Sequence, residues 1–526
     1  MNRISLLLIF YLVFSLLSCE KIFKDDKLNS LPLKTMDDYN QAIAGLYNRL
    51  YNGVMGDNLT IMLSIGNGDD LRVDGYNGMV GSCYYKLNDN IFNNCGISAW
   101  PEDYSGPYKL FYQAIGSAND IISKVGDINK LSPAFKEIMG EVYFIRAYCY
   151  FRLVRMYGQV PLVANPDVDF TLPKPSFTEI YDFIVADLFQ VMKLLPSSND
   201  LARVKFETPN RGTAKAFLAE VYLTMGGYPV NDNSKYADAA REAGEVIDSA
   251  GYFGFGLLPD LADLWNGSNE RNQESEFSFY GYKAPMMYSY NPYASDAVAP
   301  DFYNSFPRNY RKENSFQTRK CIDTYDSINS TVINNETIYH IDTIGYIDFN
   351  RICYKKFYTQ FDIPDSIIKM NIWPNLTGHI IIYPSYKIPN TAYAGHIVYL
   401  FRYAHTLLTF SEAKARSGSI DAKANEAINQ VRRRANKVDL FSPSKFDLQP
   451  GLTPQQFADS VVQERAWEMC GEPEGRWFDM LRLGITKDMV KIKQHQWIIV
   501  YVTGIDRTTF FLPIPEKDIA LNPNLQ

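Results

Sequence analysis

Apolar residues recur at helical spacing over most of the first half of the chain. Asp37 to Tyr51 places Tyr39, Ile43, Leu46, Tyr47 and Leu50 on one stripe, which predicts an amphipathic helix. Pro107 to Val125 repeats the pattern through Leu110, Ala114, Ile115 and Ala118. Pro133 to Tyr157 is apolar almost throughout. It opens on Ser132-Pro133 and ends at Gly158, with Pro161 beyond, a start and a stop that sequence can signal. Ser176 to Leu195 begins with Ser176 and Glu179, the spacing of a capping box. Thr213–Met225 and Tyr236–Ala250 form a further pair. They carry small residues at Ala214, Ala216 and Ala219, then Ala237, Ala240 and Ala243, so two helices can approach closely. Such pairs resemble tetratricopeptide repeats, without a regular period.

The period fades between Gly251 and about Ala394. Gly, Pro, Asn and aromatic residues dominate there, with short β-like runs such as Ile380-Ile381-Ile382-Tyr383. Helix is expected again at His396–Ser417, Asp421–Lys437 and Thr453–Gly471. The fold class is therefore mostly α: a helix-pair scaffold at about 37–250 and 396–526, carrying a loop-rich region with short strands at about 251–395. That much irregular chain is where a binding site is expected. Residues 53–100, rich in Gly and Asn, form a second such stretch.

Composition narrows the options. The 526 residues carry 52 Lys+Arg against 59 Asp+Glu, a net charge of −7. Mild acidity argues against a non-specific nucleic-acid binder. With 46% hydrophobic residues the chain can bury a large core. Arg3 precedes an apolar run, Ile4 to Leu17, too short to span a bilayer well, and Leu16-Leu17-Ser18-Cys19 follows. This is the layout of a secretory signal. Its end resembles a bacterial lipobox, so residues 1–18 are expected to be cleaved and Cys19 to carry lipid. Residues 19–36 then read as a polar tether, making the protein membrane-attached rather than membrane-spanning. Of the other cysteines, Cys149 and Cys470 fall in helical patterns and read as buried hydrophobes. Cys83–Cys95 and Cys321–Cys353 could pair.

Enzyme motifs are mostly absent. The five histidines lack metal-ligand spacing, and no GxSxG elbow or P-loop occurs. His405 reads as structural. Asp70 to Gly81 lacks the ligands of a calcium loop at its third and twelfth positions. No cofactor or metal is indicated. Glu464, Glu468 and Glu472 recur every four residues, with Arg476 and Arg482 following. This predicts a buried Arg–carboxylate lattice rather than an acid–base pair.

Four segments resemble the SusD/RagB family. The first holds Arg146-Ala147, Tyr150-Phe151 and Tyr157-Gly158-Gln159-Val160-Pro161. The second runs from Arg402 through Glu412-Ala413 to Asn429-Gln430-Val431-Arg432 and Arg434-Ala435. The third holds Glu464-Arg465, Glu468, Gly475-Arg476, Phe478-Asp479 and Arg482. The fourth is Leu512-Pro513-Ile514-Pro515 with Asn522-Pro523. They fall in the family's order, although Glu472-Pro473-Glu474-Gly475-Arg476 displaces the Glu of the third. The resemblance implies a single SusD-like domain over 37–526. It also implies a non-catalytic outer-membrane lipoprotein, facing the cell exterior, that binds glycan and works with a TonB-dependent barrel. Peptide-binding members are the variant, and a glycan hydrolase the remaining alternative. It gives the 37 Tyr, 32 Phe and 6 Trp a role, because a sugar's C–H face stacks on a ring while its hydroxyls seek amide and charged partners. Trp373, with Asn371 and Asn375 nearby, is the strongest candidate platform. Trp100, Trp265, Tyr290 and Asn291 are the others, with loop anchoring as the competing role of Trp100 and Trp265. Trp467, Trp477 and Trp497 are expected in the core.

Overall fold

The computed structural model describes residues 33–55, 71–72, 105–167, 169–264, 269, 271–279, 317–318, 325–333, 336–343, 368–371, 397–469, 472–485 and 511–526. The expected helices form. They are α1 (Met36–Met55), α2 (Ser105–Lys124), α3 (Pro133–Tyr157), α4 (Phe177–Leu194), α5 (Arg211–Met225), α6 (Lys235–Asp248) and a short α7 (Ala250–Phe253). After the irregular region come α8 (Tyr403–Arg416), α9 (Ala422–Ala435), α10 (Pro454–Glu468), α11 (Arg476–Leu483) and α12 (Glu516–Leu521).

Local chemistry explains the boundaries. The Ser176 hydroxyl accepts from the Glu179 amide while the Glu179 carboxylate accepts from the Ser176 amide at 2.7 Å, a complete capping box. Asn210 with Thr213 and Thr453 with Gln456 open α5 and α10 in the same way. Pro133 opens α3, although the Ser132 side chain makes no cap bond. Gly158 ends α3 at φ 76°, a conformation that favours glycine.

Each helix of the first half packs on the next in sequence, α1 through α6, and α8 then docks on α5 and α6. Neighbour-on-neighbour packing is how helix-pair arrays build a continuous core. From Ile138 to Tyr157, α3 is buried at every residue but Tyr143, which marks it as the central helix. Ala216, Ala219 and Ala243 are buried in the α5/α6/α8 core. Of the α6 alanines expected at the crossing, Ala240 and Ala243 are buried, whereas Ala237 is exposed and the neighbouring Ala239 is buried. The carboxy-terminal segment straps this core: the Leu512 amide donates to the Met156 carbonyl at 2.7 Å, and Asn522 Nδ2 donates to the Leu172 carbonyl at 2.7 Å.

The helix expected from His396 begins only at Tyr403. Val398–Arg402 is a strand, β7, antiparallel to β2 (Ser275–Phe279). A short apolar run such as Val-Tyr-Leu-Phe suits either state. Strand pairing wins because every residue of both strands is buried. Five other strands are found among the described residues: β1 (Leu71–Arg72), β3 (Gln317–Thr318), and a three-stranded antiparallel sheet of β4 (Tyr325–Ile333), β5 (Glu336–Thr343) and β6 (Ile368–Asn371). The region expected to be loop-rich with short strands thus contains them. Ile380–Tyr383 lies outside the described residues. Cys149 is free and buried, and burial pushes its thiol pKa far up. The other cysteines lie outside the described residues.

Candidate functional site

Strands β2 and β7 form a stem. Phe279 pairs with Val398, so residues 280–397 depart and return at adjacent points. The stem is fixed to the core by rings: Phe277 lies 4.8 Å from Phe144, and Phe401 lies 5.1 Å from Phe217. Edge-on and offset ring contacts of this kind add to the burial they accompany.

Two other loop segments root at the same place. Tyr51, near the end of α1, meets Phe279 edge-on at 5.3 Å, so the exit of the 56–104 segment lies beside the stem. That segment is also tied to the long one directly, because Leu71 pairs with Thr318 and Arg72 with Gln317. The third is the short segment between Leu264 and Asn272. The Tyr399 hydroxyl donates to the Leu264 carbonyl at 3.3 Å and accepts from Asn272 Nδ2 at 2.7 Å. One tyrosine of β7 therefore ties both ends of that segment.

The expected ligand residues belong to these three segments. Trp100 belongs to the first and Trp265 to the short one; Tyr290, Asn291 and Trp373 belong to the long one. All five side chains, and Cys19, lie outside the described residues. The structure brings together the roots of their segments. Among the described residues no cluster of three His, Cys, Asp or Glu side chains could hold a metal ion.

Beneath the stem lies the lattice that the glutamate spacing predicts, with different partners. Arg402, wholly buried at the end of β7, donates from Nε and Nη2 to Glu472 at 2.9 Å each. Its Nη1 donates to Glu274 at 2.8 Å and also to Glu468. Arg434 of α9 donates to both oxygens of Glu274, at 2.8 and 2.6 Å, and to Glu468 at 2.6 Å. Burial opposes the charge of Arg402, but Glu472, Glu468 and Glu274 outweigh it and hold its pKa well above the ordinary value. Glu464 pairs with Arg432 at 3.1 Å. Helix α10 stops at Glu468, so Glu472 lies beyond its last turn.

Arg482 instead grips Glu412 with two bonds of 2.7 Å and reaches Asp479. Arg465 joins Asp479 at 3.0 Å to Glu220 at 3.1 Å. Burial favours the neutral forms of Glu412 and Asp479, but the facing arginines hold both below the usual carboxylate range. The displaced glutamate motif is also accounted for. Glu472 serves Arg402, whereas Glu474 accepts from Arg152 at 2.9 Å, from Arg155 and from the Tyr148 hydroxyl. Gly475 follows because a Cβ there would lie 2.7 Å from the Met469 carbonyl oxygen.

His405 is buried. Its Nδ1 accepts from the Arg402 amide at 3.3 Å, and burial lowers its pKa to about 3, so it is a neutral structural side chain. Trp477 is buried in the core, as expected; the side chains of Trp467 and Trp497 lie outside what is described. The sequence reading missed Glu274 and Glu276. Two carboxylates alternating in Glu274-Ser275-Glu276-Phe277, at the start of an apolar strand, were the available signal, since a buried segment carries charge only where partners exist.

Comparison with known proteins agrees with this architecture. The model of the SusD family matches residues 225–526, and a model described as "Starch-binding associating with outer membrane" matches residues 67–223. SusD-like protein P25 of Formosa agariphila is 25% identical, covering 98% of this chain and 96% of its own. A SusD superfamily structure from Bacteroides vulgatus superposes with a TM-score of 0.67 at 21% identity, covering 93% of this chain and 98% of that one. A structure described as a laminarin-binding SusD-like protein gives a TM-score of 0.58 at 19% identity, with coverage of 93% and 98%. With a family model matched over more than half its length and a fold to suit, this chain belongs to the SusD family.

Proposed function

We propose that this protein is a surface-exposed, non-catalytic glycan-binding lipoprotein of the outer membrane. Lipid on Cys19 would hold it there, and it would pass captured oligosaccharide or polysaccharide to a TonB-dependent barrel. The observation that carries the reading is that three aromatic- and amide-bearing segments have their roots at one stem. Rings for apolar sugar faces and amides for hydroxyls are the chemistry of a saccharide cleft. The family's description and the laminarin-binding relative point the same way. Among the described residues, no helix is long and apolar enough to cross a membrane, in keeping with attachment by lipid. The buried carboxylates of the lattice hold arginines, a structural role.

Affinity electrophoresis of the mature chain in gels of laminarin, starch and xyloglucan tests the reading. Retardation by at least one glycan is expected. Trp373→Ala, Trp100→Ala or Trp265→Ala should weaken it about tenfold where the ring is a platform. Unchanged migration of folded protein in every gel would overturn the glycan reading and favour a peptide ligand. Release of sugar products would instead revive a hydrolase.

A further inference from the structure

Glu276 stands apart from the other carboxylates of the stem. It lies at an irregularity of β2, between Ser275, which faces Arg402, and Phe277, which faces Phe401. Such bulges re-aim a side chain. Its Oε1 accepts from the Thr406 hydroxyl of α8 at 2.6 Å, while its Oε2 is buried without a hydrogen-bond partner. Its backbone carbonyl accepts from the Thr213 hydroxyl of α5 at 2.9 Å.

The surrounding charges make the case. Glu274 lies two residues earlier, immediately before β2, Arg402 ends β7, and Tyr403 and His405 open α8; Thr213 on α5 is neutral. Arg402 is committed to Glu274, Glu468 and Glu472, and Arg434 to Glu274 and Glu468. An ionised Glu276 would be a further negative charge with no cation of its own, which a buried site does not tolerate. A proton on the carboxyl removes it. Burial accordingly raises the pKa of Glu276 to about 8, with Thr406 and Arg402 opposing and Glu274 assisting.

We propose that Glu276 is a proton-controlled latch on the stem that roots the 280–396 segment: protonated, it lets β2 and β7 close, and ionised, it favours their local opening. The importance of the stem rests on the reading of that segment as ligand-bearing. Opening exposes Glu276 to water, where its ordinary value of 4.5 applies and it releases a proton. The latch is therefore fully effective below about pH 4.5. It weakens as pH rises and is lost through about pH 8, above which both states are ionised and the dependence ends. His405 acts oppositely, taking up a proton on exposure only below its ordinary 6.5. Tyr403, raised by burial, titrates well above the window. Between pH 6.5 and 8 the dependence belongs to Glu276.

Hydrogen–deuterium exchange of the mature chain tests this without any ligand. Protection factors, corrected for intrinsic exchange, are compared for peptides spanning 274–279 and 397–403 and for α4. From pH 6.5 to 8 the stem should lose protection by roughly 15-fold and then level off, while α4 holds constant. Glu276→Gln should flatten the stem profile, and Glu276→Met serves if the Gln variant fails to fold. Identical profiles in wild type and variant would overturn the latch. So would loss of protection in α4 in step with the stem, since opening would then be global. Because no glycan is present, failure of glycan retention would sink the binding reading and leave this result standing.

Discussion

Arg152, Arg402, Arg434 and Arg465 are among the largest fully buried side chains of the described residues. An arginine in that position is tolerated only with its carboxylates in place. Glu474 shows the consequence, since it lies against Arg152 and Arg155 with the Tyr148 hydroxyl on one oxygen. Burial raises its pKa, but the two arginines hold it below the ordinary 4.5. Its stabilising effect is therefore complete above about pH 4.5 and fades as pH falls through the lowered value. Glu474→Gln should cost about 3–5 kcal/mol at pH 7. In urea titrations the gap from wild type should narrow below pH 4. A constant gap would mean that Glu474 acts through shape and not charge. The glutamate spacing announced a lattice, but local spacing has no information about partners 32 to 70 residues away. Hence Glu464, Glu468 and Glu472 were legible as lattice members, and Arg402, Arg432 and Arg434 were not legible as their partners.

Elements that advertise their own ends were read well. Ser176 and Glu179, Thr453 and Gln456, and Gly158 satisfy the orphan backbone groups of helix termini, and that chemistry is local. Strand β7 was hidden because its identity depends on β2, more than a hundred residues earlier. The docking of α11 was equally hidden. The Tyr228 amide donates to the Arg482 carbonyl at 2.8 Å, and a Cβ on Gly227 would lie 2.4 Å from that same oxygen. The contact is with backbone, which cannot rotate aside. Gly227→Ala should therefore push the turn after α5 away from α11 and destabilise the fold by about 1–3 kcal/mol. A thermal melt matching wild type would show that the turn shifts freely.

At the scale of the molecule, the scaffold and the segment that roots in its stem are separable in principle. The described members of both hydrophobic clusters and of the Arg–carboxylate lattice lie outside 280–396. The stem also closes geometrically, since Phe279 and Val398 face each other across an antiparallel pair. A two-residue turn such as Asn-Gly spans such a pair. Replacing residues 280–397 by Asn-Gly should therefore leave a chain that folds. It removes only Ile397 from the described core, at a cost of about 2–5 kcal/mol by analogy with large-to-small core changes. The shortened chain should keep the helical circular dichroism of the parent and unfold cooperatively. It should also lose retention by any glycan that retards the intact protein. Aggregation or loss of helix would show that the long segment helps to build the core. Undiminished retention would move the ligand to the 56–104 segment or to the short loop tied by Tyr399.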